Sequence, residues 1–329
     1  MNDVTEQIDV APSEGIAPIA SNSSSTTMRA PTPERSAGQR VIAGYRLLEH
    51  IGEGGFGAVW RAEAPGGMAK AVKLVHGRFD ERRAVGEMKA LGKIKDARHP
   101  FLLSLERIEV VDGQLIVVTE LADESLKQRY ERCVAAGAPG IAREDLLRML
   151  AEAADALDYM SKRHGLAHLD IKPENILLVG DHVKVADFGL VKSVHTQGES
   201  LIGGLTPLFA APETFDGRPS DRSDQYSLAV VYQYALTGKI PFTGKTTAQL
   251  AAQHTTARPD LSSLPECDRP IVERALEKDP FDRFECCRAF VERLLAIRSA
   301  IVFPGPSEGK VAEPFHTEVI DDETATGTT

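Results

Sequence analysis

Between Ile176 and Ala186, two short apolar runs, ILLV and VKVA, flank the pair Gly180-Asp181. Apolar runs of this length around a Gly-Asp pair predict two strands joined by a tight turn. Asp170, Lys172 and Asn175 lie just before this hairpin and Asp187 just after it. A hairpin returns the chain close to where it started, so it carries two carboxylates, an amide and an ammonium towards one small volume. Carboxylate and amide oxygens suit a hard divalent cation, an ammonium suits phosphate, and a carboxylate can take a proton from a hydroxyl.

Upstream, Gly52-Glu53-Gly54-Gly55-Phe56-Gly57-Ala58-Val59 follows one strand-like run and leads into another, GAVWRAE. Glycines let a backbone approach phosphate oxygens without side-chain interference. Dinucleotide-binding turns use a similar glycine spacing but open a helix, whereas the run here continues as a strand. Lys73 in KAVKLV alternates with Val72 and Leu74 and so points to the face opposite theirs. Glu87 falls in DERRAVGEMKALGKIK, where Val85, Met88, Leu91 and Ile94 recur at helical spacing. Its local partner would be Arg83, one helical turn earlier.

The chain has 329 residues, 42% of them hydrophobic and 26% charged, enough for a large core or two lobes. Residues 1–42 are rich in Ser, Thr, Pro, Ala and Gly and are expected to be disordered, as is an acidic tail over 304–329. That tail holds six acids against Lys310, about half of the net charge of −10. The rest is mildly acidic, which argues against a nucleic-acid surface. No segment reaches the roughly 20 apolar residues of a membrane span. The N-terminus lacks the basic-then-apolar order of a signal peptide. Four cysteines form neither a disulfide framework nor a metal pattern, and a cytoplasmic setting is expected. From Tyr45 to about Glu120, strand-like runs dominate: YRLLEHI, GAVWRAE, KAVKLV, LERIEVV and QLIVVTEL. After Asp123 helical spacing takes over, at 143–162 and near 223–236, 246–253, 268–277 and 285–297. A β-rich part followed by a helical part predicts an α+β arrangement with a cleft between. Gly244-Lys245-Thr246 lacks the earlier glycine of a phosphate loop, because Lys239 stands there.

In this order and at these intervals, the motifs resemble those of the serine/threonine protein kinases of the eukaryotic-like superfamily, with a bacterial look. The resemblance covers roughly residues 45–298. It implies a kinase domain over 43–303, with an antiparallel N-lobe sheet and one main helix over about 43–121. A mostly helical C-lobe follows over about 122–303. It implies ATP and Mg²⁺ as cofactors and Ser/Thr-bearing proteins as substrates. Catalytic roles fall to Asp170 as proton acceptor, Lys172 on the transferring phosphoryl group, and Lys73 paired with Glu87. Asn175 and Asp187 would hold the metal. The nucleotide would lie against Ile51, Gly52, Glu53, Gly54, Gly55, Phe56, Gly57, Ala58 and Val59. Ala71 and Leu177 would sandwich the base, with Thr119 behind it and backbone groups of Glu120 and Ala122 along its edge. Glu213 of Ala211-Pro212-Glu213 would pair with Arg283, and Asp224 would brace the catalytic loop. Pro173, Glu174 and Thr206 point to Ser/Thr rather than Tyr specificity.

Three positions depart from the family pattern. Leu169 replaces the arginine that pairs with a phosphorylated activation loop, so activity is expected not to depend strongly on such phosphorylation. Leu205 and Ala229 replace glycines near the substrate groove. Two other readings stay open here: a nucleotide-binding scaffold without efficient transfer, and a small-molecule kinase of related fold. The Ser- and Thr-rich ends are expected targets of autophosphorylation.

Overall fold

The computed structural model describes residues 36–54, 57–75, 97–187, 192–193 and 206–300. Strand-like runs become a six-stranded antiparallel sheet: β1 (Arg40–Ile42), β2 (Tyr45–Gly54), β3 (Gly57–Glu63), β4 (Ala69–Val75), β5 (Leu105–Val111) and β6 (Gln114–Glu120). Their spatial order is β1-β2-β3-β4-β6-β5. Alternation sets the faces. Val72 and Leu74 are buried and pack with Leu47, Ile116 and Val118 in one apolar cluster, while Lys73 between them turns the other way.

β1 corrects the expected boundary at residue 42. Val41 and Ile42 are buried in this cluster, and Arg40 and Ile42 pair with β2, so the sheet begins inside the stretch read as disordered. Two apolar residues in a Ser/Pro-rich neighbourhood are too short a signal to read as a strand. The expected N-lobe helix and Glu87 lie outside the described residues.

The second lobe builds on helices. β7 (Glu124–Ser125) leads into α1 (Leu126–Ala135), which the helical spacing did not single out. Ser125 nevertheless signals it: its hydroxyl accepts from the Gln128 amide, while the Gln128 side chain accepts from the Ser125 N–H, a reciprocal cap. α2 (Arg143–His164) buries Leu146, Leu150, Ala153 and Leu157 on one side. Glu144 and Asp145 occupy its first turn and Lys162, Arg163 and His164 its last, each opposing the helix dipole. Gly165, at φ 61°, ends it. Then come β8 (Leu166–Ala167), a single 3-10 turn (Pro173–Asn175), β9 (Ile176–Val179), β10 (His182–Val185) and β11 (Lys192–Ser193). The remaining α-helices among the described residues are α3 (Pro212–Phe215), α4 (Ser223–Thr237), α5 (Thr247–Thr256), α6 (Arg269–Ala275) and α7 (Cys287–Ala300). Tyr226, Val230 and Val231 of α4 are fully buried against Leu150 of α2 and Phe290 and Leu294 of α7 in a second apolar cluster. Full burial of such a side chain contributes about 1.5–3 kcal/mol, so each cluster stabilises its own lobe.

Where the lobes meet, Leu103 N donates to Val185 O at 2.9 Å and Asp123 N to Leu178 O at 2.9 Å. The hairpin β9–β10 thus lies at the joint. No helix among the described residues is long and apolar enough to cross a membrane.

Candidate active site

The expected hairpin is present, with Val179 opposite His182 across Gly180-Asp181 and Gly180 at φ 60°. Glu152 of α2 accepts from Val183 N at 2.7 Å, and Arg148 donates to Asp181 O at 2.8 Å, so the hairpin is tied to the core helix.

Asp170, 4% exposed, is held from both sides. Its Oδ2 accepts from Lys172 Nζ at 2.7 Å and Asn175 Nδ2 at 3.0 Å, and its Oδ1 from Thr206 Oγ1 at 2.7 Å. Lys172 also reaches Thr206 Oγ1 at 2.9 Å. The Thr206 hydroxyl therefore sits where Asp170 can receive a hydroxyl proton. Beneath the loop, the buried Asp224 accepts from His168 N at 2.7 Å and Leu169 N at 2.8 Å. Burial pushes the Asp224 carboxyl up against the opposing pull of His168 and its two backbone donors. His168, which the sequence reading left without a role, puts Nε2 2.8 Å from Ala186 O. Its place beside Leu169 and Asp170 was the only signal for it.

Two backbone positions with positive φ aim this loop, Leu169 at 65° and Asp187 at 61°. Both are non-glycine residues in the left-handed region, a cost of about 1–3 kcal/mol each that the surrounding bonds sustain. Leu169 is buried with Ala167 and Ala210, and Phe215 packs beside them. The position next to the catalytic candidate thus carries no charge.

Across the cleft, Lys73 Nζ lies 2.5 Å from Asp187 Oδ1, joining residues of opposite lobes. Burial works to raise the Asp187 carboxyl, but the Lys73 ammonium and its hydrogen bond outweigh it and leave the group below the ordinary carboxylate value. A folded value lower than the unfolded one near 3.8 means stability that is whole above that pH and lost as pH falls through the folded value. Asp187→Asn is therefore expected to melt less steeply in acid than the parent chain; thermal melts from about pH 6 down to about pH 2.5 check this. Parallel pH curves would refute it. Ala186 N donates to Asn175 O at 2.9 Å, which brings the backbone of one metal-ligand candidate beside the other. Among the described residues no cluster of three or more His, Cys, Asp or Glu side chains is arranged for a metal. Mg²⁺ does not require one, since it takes one or two protein oxygens together with phosphates and waters, and the Asp187 carboxylate and Asn175 amide supply that type of donor.

Of the other expected nucleotide contacts, Ile51, Gly52, Glu53 and Gly54 end β2, and Gly57, Ala58 and Val59 begin β3. Gly55 and Phe56 lie outside the described residues. A Cβ at Gly57 would come within 2.3 Å of Leu74 O, so only glycine lets the turn lie this close to β4. Val59 pairs with Lys73, and Ala71 with Thr119, across adjacent strands. Ile51 is 44% exposed, an apolar side chain without cover beside the turn. Glu120 ends β6, Ala122 follows it, and Leu177 lies on β9 with its side chain half-buried. The structure thus brings Lys73, Asp187, Asp170, Lys172, Asn175 and Thr206 into two linked clusters. Glu87, the expected partner of Lys73, lies outside the described residues.

Farther out, Arg283 is 1% exposed and forks onto Glu213, with Nη1–Oε1 and Nη2–Oε2 both at 2.8 Å.

Residues 45–295 match the protein kinase domain family. Serine/threonine-protein kinase PknF of Mycobacterium tuberculosis is 31% identical over 280 residues, covering 77% of this chain and 56% of PknF. Serine/threonine-protein kinase pkn3 of Myxococcus xanthus is 32% identical over 301 residues, covering 82% of this chain and 53% of that protein. The chain therefore spans about half the length of these curated relatives. The crystal structure of the PknI kinase domain of Mycobacterium tuberculosis, a cysteine-to-alanine mutant, superposes with a TM-score of 0.60 at 24% identity, covering 80% of this chain and 98% of that domain. That likeness concerns the fold alone. With the family match running from β2 into α7, the chain belongs to the protein kinase domain family.

Proposed function

We propose that this chain is a serine/threonine protein kinase, transferring the γ-phosphoryl group of MgATP to Ser and Thr hydroxyls of proteins, its own tails included. The observation that carries this reading is Asp170 bonded to Lys172, Asn175 and Thr206, with Lys73 and Asp187 joined across the cleft. Asp170 orients the acceptor hydroxyl and takes its proton as the oxygen bonds to the γ-phosphorus and the bond to the β-phosphate oxygen breaks. Lys172 neutralises charge on the phosphoryl oxygens as they move. Lys73 holds the α- and β-phosphates. Asn175 and Asp187 would hold Mg²⁺, which would screen phosphate charge. The glycine turn covers the phosphates, and Ala71, Leu177, Thr119, Glu120 and Ala122 receive the base. Cytoplasmic placement suits the four free cysteines.

The test is phosphate transfer from labelled ATP to a generic basic protein, set beside aminoglycoside-like and choline-like acceptors, with mass spectrometry of the chain itself. Transfer to protein supports the proposal. Transfer only to small alcohols, or nucleotide binding with no transfer, overturns it.

Because Leu169 offers no charge to a phosphorylated loop, a Ser193/Thr196/Ser200 triple alanine is expected to keep most of this activity. A folded triple variant with nearly none would refute that. Thr196, Ser200 and the Ser193 side chain lie outside the described residues.

A further inference from the structure

A ring of contacts starts and ends at Asp170, where an acceptor hydroxyl would meet the catalytic loop. Thr206 bonds Asp170, and Phe209 N donates back to Thr206 O at 3.0 Å. Phe209 stands edge-on to Tyr234, with centroids 6.2 Å apart, and Tyr234 lies 4.8 Å from Tyr130 of α1. One turn before Tyr130 on the same helix is Lys127, whose Nζ lies 3.2 Å from Glu174 Oε1. Glu174 sits in the 3-10 turn Pro173–Asn175, two residues after Lys172, which closes the ring at Asp170. Phe209 is buried and Tyr130 and Tyr234 are half-buried, while the Lys127 and Glu174 side chains are 42% and 45% exposed, so the charged pair is the part of the ring that faces solvent.

An extended peptide advances about 3.3 Å per residue. With its hydroxyl at Asp170, its side chains two or three residues away would lie about 7–10 Å off, and the exposed Lys127 and Glu174 are the charges of this ring they would meet. The carboxylate of Glu174 would by itself attract Arg or Lys in such a peptide. Here its partner is already Lys127, and their hydrogen bond, then their mutual attraction, holds the Lys127 ammonium above its ordinary value. Glu131, exposed on the next turn of α1, adds to the same field.

We propose that Lys127 is a specificity-determining residue: by occupying Glu174, it removes the preference for a basic side chain beside the acceptor and opens the site to Ser/Thr peptides without one. This rests on the kinase reading above, and deepens it by naming the substrate class.

The test uses the full chain and a set of acceptor peptides, each carrying one Arg or one Ala at a position from three before to three after the Ser. The parent chain is expected to treat Arg and Ala alike, within about twofold in kcat/KM. Lys127→Ala is expected to favour Arg by about three- to fivefold at one position, the scale of an exposed charge pair. Lys127→Arg restores indifference, and Glu174→Gln on the Lys127→Ala background removes the gain. A purely structural Lys127 would change rates for all peptides together and leave the Arg/Ala ratio alone. That outcome, or a parent chain already selecting Arg, overturns the proposal. Fluorescence anisotropy with the same peptides, their Ser replaced by Ala, reads the ratio through binding alone. Absence of transfer to any protein therefore defeats the kinase reading, whereas an unchanged binding ratio defeats the role of Lys127.

Discussion

Asp170→Asn is expected to lower phosphoryl transfer by about 10²–10⁴-fold, the range associated with a positioned proton acceptor, while nucleotide affinity changes little. The carboxylate uses both oxygens, Oδ2 towards Lys172 and Asn175 and Oδ1 towards Thr206. An asparagine keeps one acceptor oxygen and turns the other into an NH₂ group, which would face donors. It also has no lone pair of comparable basicity for the proton. The loop itself should survive, because Asp224 still holds His168 N and Leu169 N from below. Single-turnover rates and titration with a fluorescent nucleotide separate the two effects. A variant that transfers phosphate at the parent rate would place the proton elsewhere, and one that neither binds nucleotide nor melts normally would make Asp170 a structural residue instead.

Arg283→Met is expected to destabilise the C-lobe by about 3–5 kcal/mol, the cost of leaving a buried charge without its partner. All five guanidinium donors are engaged. Besides the fork onto Glu213, Nε donates to Glu277 O at 2.8 Å, Nη1 to Arg222 O at 3.1 Å and Nη2 to Lys278 O at 3.3 Å. Its guanidinium carbon lies 4.9 Å from the Tyr226 ring centroid. Glu213 would keep only Ser223 Oγ at 2.7 Å and Ser220 Oγ at 3.3 Å among its described partners. Most of the loss should come from that stranded carboxylate, so adding Glu213→Gln should recover part of it. Urea unfolding of the two single variants and the double variant checks this. Additive losses would mean the pair contributes little beyond its packing.

Much of the site could be read along the chain because its parts are local. Asp170, Lys172 and Asn175 fall within six residues, and the β9–β10 turn is announced by Gly180-Asp181 between two apolar runs. Lys73 declares its face by alternation with Val72 and Leu74. Resemblance extended this reach to Glu213, Arg283 and Asp224, which no local pattern links. Other features lay in plain sight without being recognised. The Ser125 and Gln128 cap marks α1, and α1 carries Lys127, yet its apolar spacing is weak, with only Leu126 buried. β1 escaped because its two buried residues are surrounded by a composition typical of unstructured chain.

Period, turn chemistry and helix-end charges act over a few residues, and so the order of strands and helices and the residue types at the catalytic loop were already settled before any folding in space. Which charges would meet was not. Lys73 and Asp187 are 114 positions apart, Glu213 and Arg283 are 70 apart, and Lys127 finds Glu174 only because α1 docks beside the Pro173–Asn175 turn. Partners at such separations are chosen by the packing of two apolar cores, whose burial offsets the entropy of closing the intervening loops. That term depends on the assembled chain, and no window of neighbouring residues contains it.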